Sequence, residues 1–100
     1  MLKDFFLGFV RIHILYHASK EPIYGVEMLG ELGRHGYRLS PGTLYPALHR
    51  LEREGYLSVQ RRVVSGKVRK YYSITRRGIE VLDDARVKVA ELVEEVLLGE

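Results

Sequence analysis

Residues 40 to 55 constrain the fold more than any other segment of this chain, because they spell a short helix with both ends fixed. Ser40 is a good N-cap, with a hydroxyl expected to accept a hydrogen bond from a free first-turn amide. Pro41 follows at the first helical position, where a missing N–H costs nothing. Leu44, Leu48 and Leu51 recur at spacings of four and three and so form one apolar stripe. The opposite side carries Gly42, Thr43, Pro46, His49, Arg50 and Arg53, small at the start and basic towards the end. Pro46 has no amide to give, which predicts a distorted or bent start to the helix. Gly55 is the expected C-cap.

A hairpin is expected next, from Tyr56 to Thr75, with its turn at Ser65-Gly66. Its apolar positions are Leu57, Val59, Val63, Val68, Tyr72 and Ile74. Between Gly55 and Ile79 stand seven basic residues (Arg61, Arg62, Lys67, Arg69, Lys70, Arg76 and Arg77) and no acidic one. An edge strand protected from aggregation would account for two or three such charges. Seven beside a capped helix point to a nucleic-acid duplex. Tyr71 and Tyr72 fall on opposite faces of their strand, so one is expected in the core and the other facing solvent or DNA.

The net charge of +3 is mild, but its distribution is not. Residues 1–54 carry +1, residues 55–79 carry +7 and residues 80–100 carry −5. A basic middle and an acidic tail imply that one face meets phosphate while the last segment has another task. One hundred residues make a single small domain that buries little surface alone, so a partner is expected. There is no cysteine, which removes disulfides, thiolate metal sites and a cysteine nucleophile. Arg11, His13 and His17 interrupt the longest apolar stretches, no membrane span is expected, and the first residues do not read as a signal peptide. Cytoplasm is the expected location.

Leu2 to about Ala18 reads as a helix so apolar that it must be buried on more than one side. A second helix is expected from about Tyr24 to Arg34. With the capped helix it makes a helix-turn-helix, and the hairpin makes that winged. Arg76 to about Leu98 reads as a last helix starting after Thr75, a candidate N-cap. Along it Leu82, Ala85, Val89, Leu92 and Val96 repeat at 3, 4, 3 and 4, with Val93 broadening the stripe, the pattern of a helix–helix seam. The fold class expected is α+β, mainly helical: a winged helix-turn-helix over residues 1–75 and a C-terminal dimerisation helix over 76–100. The dimer contact is assigned to that stripe together with Phe5 and Phe9 of the first helix. Packing in the core is the expected use of Phe5, Phe6 and Phe9, ahead of lining a pocket.

Three blocks resemble the PadR-like transcriptional regulators: Ile23-Tyr24-Gly25-Val26-Glu27-Met28, then Leu39 through Glu52, then Arg69-Lys70-Tyr71-Tyr72-Ser73-Ile74-Thr75-Arg76-Arg77-Gly78. They occur in order and at fitting separations. The resemblance implies a homodimer that binds operator DNA, commonly as a repressor released by a small molecule. A single helix after the wing is similar to the shorter subclass, in which it and the first helix build the dimer. Drug-binding relatives stack planar ligands on a tryptophan of the last helix. This chain has no tryptophan, so a flat aromatic effector is not expected there.

The DNA contact is assigned to Gly42, Thr43, His49 and Arg50 for base edges, and to Arg53, Arg61, Arg62, Lys67, Arg69 and Lys70 for phosphates, with Ser40 at the helix start. Tyr45, at the flank of the leucine stripe, divides evenly between core support and phosphate contact. His13 and His17 are four apart on one helical edge, a spacing that can hold zinc. No third ligand is evident, since Glu21, Glu27 and His35 would reach the site only by chance of folding, so the two are expected as interfacial or solvent-edge histidines, with no metal and no cofactor. No serine has a histidine–carboxylate partnership, and there is no phosphate-binding glycine loop, so no enzyme is expected. The competing reading is a winged-helix module that docks protein or RNA. A protein-docking wing would mix charges or expose apolar residues, and neither is expected here.

Overall fold

The computed structural model describes residues 2–100, with side chains from residue 4 onward. Four α-helices and one hairpin occur in the order α1 (Leu2–Lys20), α2 (Gly25–Arg34), α3 (Pro41–Arg53), β1 (Leu57–Val64), β2 (Lys67–Ile74) and α4 (Arg76–Leu92). A π-helical turn, Val93–Leu97, extends α4. This is a mainly helical α+β winged helix-turn-helix with a C-terminal helix.

The core is the meeting place of stripes that each helix presents at helical spacing. Val10, Ile14, Leu15 and Ala18 come from α1, Met28 and Leu32 from α2, and Leu44, Ala47, Leu48 and Leu51 from α3. Leu57 and Tyr72 close it from the hairpin and Leu82 from α4. Full burial of each large apolar side chain contributes roughly 1.5–3 kcal/mol. Phe5 and Phe6, expected in this core, are exposed instead, and with Phe9 they form an edge-on cluster at centroid distances of 5.3 and 5.4 Å. Val10 and Ile14 already fill the inner face of α1, which leaves the phenyl rings outside.

The hairpin is antiparallel, with Leu57 opposite Ile74, Val59 opposite Tyr72, Arg61 opposite Lys70, Arg62 opposite Arg69 and Val63 opposite Val68. Ser65 and Gly66 turn it with φ of 52° and 78°, the double positive angle of a type I′ turn. A backbone bridge from Ile23 to Tyr72, with N···O distances of 2.9 and 2.7 Å, ties the loop before α2 to β2. That bridge fixes where the wing stands relative to α2 and α3. At the other end of the hairpin the Thr75 hydroxyl donates to the Gly55 carbonyl at 2.6 Å and accepts from the Gly78 amide at 3.0 Å. It caps α4 and joins the wing to the end of α3.

Candidate nucleic-acid interface

Helix α3 is held by its inner stripe, and its far side is open. Gly42, Pro46, His49 and Arg53 are exposed, while Thr43 and Tyr45 are half-buried. The helix ends as expected, with Gly55 at φ +86° and the Tyr56 amide donating to the Leu51 carbonyl at 2.9 Å, the Schellman pattern. Its beginning differs. Ser40 is the N-cap, but its hydroxyl makes no capping bond to a backbone amide and lies 3.3 Å from the Thr43 hydroxyl. The Ser40 carbonyl instead takes the Thr43 and Leu44 amides at 3.0 and 3.1 Å. Two short hydroxyl side chains therefore stand together at the open end. The bend expected at Pro46 does not break the helix, which runs unbroken from Pro41 to Arg53. Gly42, at the position whose carbonyl the proline ring crowds, adds no side chain to that conflict.

The wing meets α3 across a groove of about 430 Å³ lined by Tyr24, Tyr45, His49, Lys67, Arg69 and Lys70 among others. Two of the α3 residues and three of the wing residues expected from sequence thus line one concavity. Tyr45 owes its place to Gly25, where a Cβ would overlap the phenol ring. Arg69 lies over the Tyr24 ring at 4.2 Å and reaches the Tyr71 hydroxyl at 3.5 Å, a bond that raises its already high pKa. Arg62 covers Tyr71 from the other strand at 4.6 Å. Such cation–π contacts contribute about 0.5–1 kcal/mol each at exposed sites and hold the guanidinium groups in fixed positions. Sequence reasoning does not single out Tyr24 as a site residue. Its only signal there is its place beside Gly25 in the first resembling block.

Other expected residues lie elsewhere. Arg61 and Arg62 are exposed on β1, outside the groove lining. Arg50 is paired with Glu54 at 2.8 Å and lines a separate depression with Arg11, Tyr56 and Ala85. Val63 and Val68, at the wing tip, are 74 % and 67 % exposed, so the wing does show apolar surface. The strands run past the end of the core, and nothing among the described residues covers them there. Of the two tyrosines, Tyr72 is the buried one and Tyr71 the outer one, edge-on to Tyr24 at 5.4 Å.

The residues assigned to a dimer contact divide. Phe5, Val89, Leu92, Val93 and Val96 are exposed, while Phe9 and Ala85 are half-buried. Leu82 is 2 % exposed and belongs to the protomer's own core, because the first turns of α4 pack back against the domain. It is removed from the outward stripe. Among the described residues no helix is long and apolar enough to cross a membrane.

A capped helix presenting small and basic residues, joined by a groove to a cationic hairpin, defines a DNA-binding protein of the winged helix-turn-helix class. A model of the transcriptional regulator PadR-like family matches residues 14–84. The chain is 46% identical over 99 residues to the transcriptional regulator Rv3488 of Mycobacterium tuberculosis, covering 99% of this chain and 92% of that protein. Its fold is similar to a PadR family transcriptional regulator from Eggerthella lenta, with TM-score 0.84 and 31% identity over 96% of this chain and 85% of the other. It is also similar to a PadR-like regulator from Bacillus cereus, with TM-score 0.78 and 34% identity over 97% and 99%. The chain belongs to the PadR-like family of transcriptional regulators, in its short form with one helix after the wing. It is a DNA-binding regulator and not an enzyme.

Proposed function

We propose that the chain is a homodimeric repressor that binds an inverted-repeat operator and is relieved by a small-molecule effector. In this reading residues 1–75 bind DNA and residues 76–100, with α1, hold the dimer. The groove shared by α3 and β2 carries the proposal, because it puts base-reading and phosphate-holding groups within reach of one duplex segment. Gly42, Thr43 and His49 face the major groove, with Ser40 beside Thr43 at the open helix end. Tyr45, Arg53, Arg61, Arg62, Lys67, Arg69 and Lys70 hold the backbone. Arg50 reads base edges beside Thr43 and His49, its exposed pair with Glu54 being weak enough to open to DNA. A cavity of about 560 Å³ between α1, α2 and α4, lined by Ile12, Tyr16, Leu82 and Val89 among others, supports an effector that reaches dimer and DNA elements together.

The test is binding to the duplex upstream of the chain's own gene and to a random duplex, across a salt series. Lys67→Ala should weaken both by similar factors and make the log–log salt dependence shallower by about 0.9 for each phosphate no longer neutralised. Thr43→Ala should reduce the preference for operator and leave the salt slope nearly unchanged. If Lys67→Ala abolished discrimination at an unchanged slope, the wing would be a base reader. The exposed Val63–Val68 pair favours the second reading, a wing that docks a protein. Failure of the native chain to prefer the upstream duplex over the random one at any salt would overturn the operator reading.

A further inference from the structure

Three of the four histidines in the sequence come together at the packing of α1 on α2. His13 and His17 are four apart on α1. Glu31 lies on α2 and His35 four residues on at its C-cap, where the backbone leaves the helix at φ −92°, ψ 8°. His13 and His17 share one face of α1, and the Glu31–His35 contact turns that pair towards them across the interhelical packing. One nitrogen from each of His13, His17 and His35 lies within 4.8 Å of the others. The His13 ring stacks on His35 at a centroid distance of 4.6 Å. Glu31 Oε1 is 3.6 Å from His17 Nε2 and 3.5 Å from His35 Nε2.

We propose that His13, His17, His35 and Glu31 form a binding site for a divalent transition-metal ion, Zn²⁺ in the first instance, which ties α1 to α2. Three imidazoles and one carboxylate complete a tetrahedral set, and facing helices are a common way to assemble one. Zinc–nitrogen bonds of about 2.0–2.1 Å would draw the nitrogens closer than they now stand. The change lies within the freedom of side-chain torsions. With no thiolate in the chain, the donors suit borderline ions and not soft ones.

The surroundings favour ligation over a chance cluster. Arg34 donates to Glu31 Oε2, leaving Oε1 turned towards the histidines. Tyr37 stands edge-on to His13 at 5.3 Å. The cavity between α1, α2 and α4 opens onto all four groups and offers an entry path. Arg86, on the cavity wall, is neutralised by Asp83 at 2.9 Å.

The experiment titrates Zn²⁺ into the chelator-treated full chain and tracks the histidine side chains by long-range ¹H–¹⁵N NMR. One ion per chain is expected, shifting the resonances of His13, His17 and His35 and leaving those of His49 in place. Co²⁺ should give the intense visible bands of a tetrahedral site. His13→Gln and His35→Gln should each weaken Zn²⁺ binding by about 100-fold or more, and Glu31→Gln by about 10-fold or more. No stoichiometric binding, or shifts shared equally by His49, would overturn the site. So would variants that fold as the native chain does and bind Zn²⁺ as tightly. The readings on the native chain decide the matter even if a variant fails to fold.

Discussion

Tyr72 is 1 % exposed, and its hydroxyl has no hydrogen-bond partner among the described residues. A buried polar group left unpaired costs about 1–3 kcal/mol, so Tyr72→Phe should leave the fold intact and raise its stability by up to about that amount. Burial, followed by Glu52 and Tyr45, raises the phenol's pKa above the ordinary value of 10.0. The unfolded chain loses this proton as pH passes 10 while the folded chain keeps it, so stability is full below that value and falls as pH rises through it. Thermal midpoints of the native chain and Tyr72→Phe from neutral to strongly alkaline pH should diverge, the variant losing less. Parallel curves would mean that the hydroxyl is solvated. Which of the two adjacent tyrosines is buried is not legible from alternation alone. It depends on the register Val59–Tyr72 and on the bridge to Ile23, both set by residues distant in sequence.

At the scale of elements, Thr75 does more than its sequence position suggests. It caps α4 and also ties that helix to the carbonyl of Gly55, so it fixes the last helix to the end of α3. Thr75→Ala should cost about 1–2 kcal/mol in denaturant unfolding, and Thr75→Ser should recover most of it. Gly78, three residues along, sits where a Cβ would overlap the Tyr56 carbonyl, so Gly78→Ala should cost more than Thr75→Ala. Equal midpoints for the two would show that the junction yields. The caps, stripes and hairpin turn are legible in the sequence because they depend on neighbours within a few residues. Helix α3 ends where Gly55 says it should, and the hairpin turns at Ser65-Gly66. The partner of His13 and His17 is not legible, because His35 reaches them only when α2 packs on α1. The same limit applies to Leu82, whose heptad spacing cannot tell a seam from a core contact, and to Arg69, whose stacking partner lies in a preceding loop.

The molecule as a whole is long for its mass, with extents of 54 × 28 × 21 Å. Past Ala85 every residue of the C-terminal segment is exposed, including Val89, Leu92, Val93 and Val96. Covering this stripe with a second copy would join it to the exposed phenyl cluster of α1. Leu92→Glu together with Val96→Glu should therefore give monomers by sedimentation, since carboxylates carried into an apolar interface are costly without partners. A native chain that sediments as a monomer at micromolar concentration would refute the pairing. Footprinting should show two half-sites about one duplex turn apart, or a multiple of it, and a single unrepeated half-site would contradict the geometry. The bare outer half of α4 also bears on dosage. If the proposed dimer forms through this stripe, then where chains are scarce the paired form grows as the square of their number, so a modest rise in expression would fill the proposed operator steeply, and halving synthesis would empty it faster than simple dilution does.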